Sequence, residues 1–145
     1  MSETTTYEKY LEENGTMTYS NVGVSMMPLL KQGRDLFTVR KKDENRCRKY
    51  DVVLYRRPPS SYVLHRVIEV RERDYVILGD NCINKEYGIT DDDIIGVMTE
   101  YVHNGKKHTV KEFGYRLYSH IWVDFASVRV FFMRVKFKLK RLIGR

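Results

Sequence analysis

Nowhere does this 145-residue chain hold an apolar run approaching the roughly 20 residues that cross a bilayer, so no transmembrane segment is expected. The opening "MSETTTYEKYLEENGT" is polar and mildly acidic, which fits neither a signal peptide nor an anchor. Cysteine is scarce. Cys47 and Cys82 make neither a disulfide framework nor a metal pair at short spacing, and reduced thiols in a cytoplasmic setting are the expectation. Spaced metal ligands are lacking as well. Asp91, Asp92 and Asp93 run straight into "DIIGVM" without the spacing and glycine of a calcium loop, and read as a solvated edge or a cap. No cofactor and no metal is expected. Internal repeats and low-complexity segments are missing too.

Acidic charge is thin at one end. Of the net +7, +6 belongs to residues 121–145, where seven Lys and Arg stand against Asp124 alone. The first 120 residues are close to neutral. A chain basic in one terminal segment suits an anionic partner, a membrane surface or a nucleic acid.

What is present is a globular composition, 42% hydrophobic and 31% charged, in a chain long enough for one domain with its own core. "DLFTVRK", "YDVVLYRR", "SYVLHRVIEVR", "DYVILGD" and "DIIGVMTEYV" are rich in Val, Ile, Tyr and Leu, and each is bounded by turn residues. "RRPPSS" separates the second from the third, "VRERDYVI" reads as a hairpin, and "HNGKKHTV" carries an Asn-Gly turn. "MMPLLKQG" has room for about one helical turn closed by Gly33. The expected fold is mainly β, a compact domain of short, mostly antiparallel strands over 17–110. Residues 1–16 form a tail or short helix, and 111–145 a basic amphipathic segment. In that segment Val128, Phe131, Phe132, Val135, Leu139, Leu142 and Ile143 share one helical face, over about 121–143. "VKFKLK" also alternates with period two, which leaves a strand open there.

Three places could carry chemistry. Ser25, in "GVSMMP", sits between a glycine that permits close backbone approach and a proline that stiffens the next turn; a turn residue or a core hydroxyl is the plain alternative. His65 lies within the strand "YVLHRVIEV", placed as a general base or as a hydrogen-bonded core histidine. His103, His108 and His120 read as surface or packing residues. In "LGDNCINKEYG", Asp80 and Glu86 are the carboxylates that could fix a histidine's tautomer.

Taken in order, "GVSMMP", "YDVVLYRR", "LHRVIEV" and "ILGDN" resemble the serine peptidases of the type I signal peptidase and LexA-like superfamily, over about residues 17–100. The resemblance implies coiled antiparallel sheets, with Ser25 as nucleophile and His65 in the general-base position. That base is lysine in the usual bacterial members and histidine in the endoplasmic-reticulum type. It also implies a third, acidic residue a few positions beyond Gly-Asp-Asn, for which Glu86 is the nearest match and Asp80 the fallback. The backbone of Gly23, Val24 and Met26 would then flank the oxyanion. Two departures stand out: an inserted Arg34 in "QGRDLF", and no N-terminal anchor, as in small soluble or peripheral cousins beside peptide-modification operons. The implied activity is a serine endopeptidase that cuts a leader or signal-like segment from a peptide or precursor protein, with small residues accepted in its pockets.

A self-cleaving regulator would call for an upstream DNA-binding domain and a lysine base. A catalytically silent binding module would keep the sheet and dock through its tail. In that tail Arg129, Arg134, Lys136, Lys138, Lys140 and Arg141 suit an anionic membrane surface, unless the apolar face packs on the β domain instead. Nucleic acid fits less well, since no helix-turn-helix partner or base-stacking platform accompanies the charges.

Overall fold

The computed structural model describes residues 6–59 and 61–144, so the expectation for the tail is met only from Thr6 onward. The elements run α1 (Tyr7–Asn14), β1 (Thr16–Ser20), β2 (Leu36–Lys41), β3 (Val52–Arg57), β4 (Ser61–Val70), β5 (Tyr75–Leu78), β6 (Glu86–Ile89), β7 (Ile94–His103), β8 (Lys106–Thr109), α2 (Phe113–Asp124) and α3 (Ala126–Ile143). All strands pair antiparallel, in the order β1-β2-β7-β3-β4-β5-β6, with β8 on β7. The mainly β expectation holds, and the five strand signals become β2, β3, β4, β5 and β7.

Alternation explains the core. Along β3, Val52 and Leu54 join one buried cluster with Met26, Leu30, Phe37, Val39 and Leu64. Val53 and Tyr55 join the other, with Val67, Tyr75, Ile77 and Val97. Successive side chains of a strand point to opposite faces, so a strand covered on both sides reads as an unbroken apolar run, as "VVLY" does. The turn chemistry is as read. Asn104 and Gly105 both take positive φ, 51° and 80°, which a two-residue hairpin turn requires. At the β4–β5 turn the Arg71 N–H donates to the Asp74 carbonyl at 2.9 Å. The "MMPLLKQG" segment makes one turn, the Leu30 N–H reaching the Met26 carbonyl at 2.9 Å. Helix α1 is capped by Thr6, whose Oγ accepts from the Lys9 N–H at 3.0 Å, and buries Leu11 in the first cluster.

Three features differ from expectation. A short strand, β6, is not among the five strand signals; its four residues "EYGI" are mostly polar or Gly-containing and show no alternation of burial. The C-terminal segment is two helices broken at Phe125, the first beginning at Phe113. Its buried face is Tyr115, Ser119 and Val123, and two of the three are polar-tipped, which hid it from a purely apolar pattern. The strand alternative for "VKFKLK" falls, since all of it is helical.

Candidate functional site

Ser25 lies on the loop between β1 and β2, tied down by two asparagines. The Asn21 side chain donates to the Gly23 and Leu30 carbonyls, at 3.3 and 3.2 Å. From the far side, the Asn81 N–H donates to the Ser25 carbonyl at 2.8 Å and its side chain to the Val24 carbonyl at 3.1 Å. Gly23 takes φ +83°, a conformation that favours glycine, and Met26 is buried as the loop's apolar anchor. Among the described residues, the backbone N–H groups of Gly23, Val24, Ser25 and Met26 donate to no backbone carbonyl.

His65 stands in β4 opposite Val53 of β3, only 7% exposed. Its Nδ1 lies 3.2 Å from the Tyr55 hydroxyl and 3.6 Å from Glu86 Oε1. Tyr55 has one proton, and it donates that proton to Glu86 Oε1 at 2.7 Å. The Tyr55 oxygen is therefore the acceptor from His65, which assigns the proton to Nδ1 and leaves Nε2 as the acceptor nitrogen. Burial pushes the imidazole down to about 4; Glu86 opposes the shift and Arg57 adds to it. At neutral pH the ring is uncharged. Arg57 also donates to Glu86 Oε1, so the carboxylate is shared between cation and tyrosine. Register explains the gathering. Tyr55 and Arg57 alternate onto the His65 face of the β3–β4 hairpin, and Glu86 of β6 pairs with Ile77, next to Val67.

Asp80 is elsewhere. It forms a two-pronged pair with Arg66, at 2.8 and 2.9 Å, and also accepts from the Tyr118 hydroxyl at 2.7 Å. Arg66 spends its other donors on the Tyr50 carbonyl, Tyr115 and Ser119. Both side chains are 1% exposed, so this carboxylate locks α2 onto the sheet and does not orient His65. Glu86 is the acid at the imidazole.

Between the two networks sits Gly79. A Cβ there would lie 2.6 Å from Cys82 Sγ, 2.8 Å from the Ser25 carbonyl oxygen and 2.9 Å from His65 Cδ2. The glycine is what lets these three groups close on one another. Cys82 Sγ is 4.0 Å from His65 Nε2, and burial raises its thiol above the ordinary value. Among the described residues, Ser25 Oγ and the imidazole form no hydrogen bond in this resting arrangement, although both line one cavity of about 790 Å³ together with Glu86, Asn81, Cys82 and Arg57. The rim also takes Tyr19 and Ser20 from β1, so the two outermost strands of the sheet's main path both contribute to the same hollow.

Tyr55, Arg57, Asn21, Asn81 and Arg66 had no assigned role in the sequence. Only Arg66 carried a signal, a charge amid the apolar run of β4, which needs a buried acid whose identity chain spacing does not give. Of the expected membrane-facing cations, Arg129 is turned inward: its guanidinium donates to the Asp80 carbonyl at 2.8 Å and lies over the Trp122 ring. Burial explains why, since α3 meets the loop after β5 on that side.

The fold and site thus define an antiparallel β domain in which one cavity joins a glycine-flanked serine, a neutral buried histidine and a glutamate. No protein-family model, no curated protein and no solved structure matches the chain.

Proposed function

We propose that the protein is a serine-type endopeptidase acting on a leader or signal-like segment. In this reading Ser25 Oγ attacks the scissile carbonyl carbon and its proton passes to His65 Nε2. The oxyanion is met by N–H groups of the loop from Gly23 to Met26. His65 then gives the proton to the leaving amine, and water, deprotonated by the same nitrogen, releases the acyl group from Ser25. Glu86 acts through Tyr55, holding the Nδ1 proton in place and stabilising the transient imidazolium. The hydroxyl–imidazole contact forms as substrate settles, since catalytic hydrogen bonds of empty enzymes are commonly loose. An extended peptide fits by adding to the open edge of β1 or β6, leaving alternate side chains to the cavity.

The observation that carries this reading is the convergence of Ser25, His65 and Glu86, from three distant segments, on one cavity. A fluorophosphonate probe should label the wild type at Ser25 and leave Ser25→Ala and His65→Gln unmodified. Labelling of folded wild type anywhere but Ser25 would sink the reading. A second reading follows from the position of Cys82, whose sulfur already faces His65 Nε2: a thiol hydrolase with Cys82 as nucleophile. It requires loss of peptide cleavage in Cys82→Ala and retention in Ser25→Ala. If wild type and both variants bind peptide without cutting it, the domain is a silent binding module.

A further inference from the structure

Helix α3 carries two apolar faces, not one. Ala126, Val130, Met133 and Phe137 recur at i, i+4, i+7 and i+11. This side meets the domain: Ala126 is buried, Val130 and Met133 are half-buried, and Phe137 lines the cavity. The opposite side is the Val128, Phe131, Phe132, Val135, Leu139, Leu142 and Ile143 face. All seven are exposed, from 38% for Val135 to 79% for Ile143. This face as a whole therefore does not pack on the β domain; Phe131, at its margin, borders a groove shared with Ile83, Asn84 and Tyr87.

Cations flank the outward face on both sides. At 100° per residue, Lys136 and Lys140 fall along one margin and Arg134, Lys138 and Arg141 along the other. Helix α3 contains no acidic residue at all. An exposed stripe of phenylalanine and aliphatic side chains between two rows of Lys and Arg is complementary to one kind of surface, an acyl layer beneath anionic headgroups. A second copy of this helix would bring like charges together along both margins. The helix cannot cross a bilayer: among the described residues none is long and apolar enough.

We propose that α3 lies in the interface of an anionic lipid surface, with the Phe131–Phe132 side immersed and both basic margins on the headgroups. The inference stands independently of the peptidase reading. Its geometric result is that the cavity sits one helix diameter, about 10 Å, from the lipid. Arg129 and Trp122, both bonded to the Asp80 carbonyl, hold the root of the helix against the loop that straps Ser25.

The test is co-sedimentation of the full chain with vesicles of phosphatidylcholine alone or mixed with phosphatidylserine. Binding should require phosphatidylserine and weaken as salt rises. Replacing Arg134, Lys138 and Arg141 by Gln together should lower the partition coefficient on the order of a hundredfold, at about fivefold per cation. Phe131→Ser with Phe132→Ser should lower it at least tenfold, while circular dichroism and the melting midpoint stay near wild type. Ser25→Ala should bind like wild type, which separates this result from the fate of the peptidase reading. Absence of binding to anionic vesicles, equal binding to phosphatidylcholine alone, or indifference to the phenylalanine pair would overturn the proposal. So would sedimentation equilibrium showing a wild-type dimer that Phe131→Ser with Phe132→Ser dissolves, because the face would then belong to a second copy.

Discussion

Two carboxylates six residues apart, Asp80 and Glu86, stand in opposite circumstances. Asp80 is sealed with Arg66 and Tyr118, which between them occupy both of its carboxylate oxygens. Glu86 sits at a cavity wall, shared between Arg57 and the Tyr55 hydroxyl, beside a histidine whose second nitrogen meets only the weak Cys82 thiol contact. The contrast separates structure from chemistry. A polar network with all its valences filled holds a fold together, and one with a free lone pair beside open space can move a proton.

The largest effect should come from breaking the sealed side. Asp80→Ala strands the Arg66 guanidinium in the core and should cost about 3–5 kcal/mol, read as a fall in the urea midpoint. Glu86→Gln should stay within about 1 kcal/mol of wild type while cleavage falls. If the two variants lost equal stability, the distinction between the networks would fail. Next comes Gly79, where the networks touch. Gly79→Ala should cost about 1–3 kcal/mol through overpacking and abolish probe labelling at Ser25, because Cys82, His65 and the Ser25 carbonyl must all retreat. Retained labelling at wild-type rate would show that the close approach is unnecessary.

The last effect is electrostatic, and it is nil at neutral pH and grows only as the medium is acidified. His65 titrates near 4 folded and near its ordinary 6.5 unfolded. Between those values the unfolded chain takes up a proton that the folded chain refuses. The contribution of His65 is therefore whole above 6.5, declines as pH falls, and is gone below about 4. His65→Gln should flatten that part of the dependence of the urea midpoint on pH. Arg57→Gln removes the cation beside the ring and should move the His65 titration upward, as followed by imidazole NMR. A downward move would mean that Arg57 acts by packing and not by charge.

Most of the sheet was legible because β-branched and aromatic runs between turn residues have few other uses. β6 was not, since it is held by backbone pairing to β5 and needs no apolar pattern of its own. Ser25 and His65 stood out through their neighbours in the chain. Their partners did not, because Tyr55 and Arg57 reach the imidazole through hairpin register, and register appears only once strands pair. The choice between Asp80 and Glu86 was likewise open in one dimension. Burial of Arg66, a fact about packing, decides it.

That β1 and β6 both reach the cavity rim has a bearing on solubility. Unpaired strand margins are templates on which foreign chains aggregate. Here the margins are kept to five and four residues, and β6 is interrupted by Gly88 at φ +77°. A guest lying in the hollow would cover what remains, so the same groove is the place where an empty molecule is most open to sticking to its neighbours.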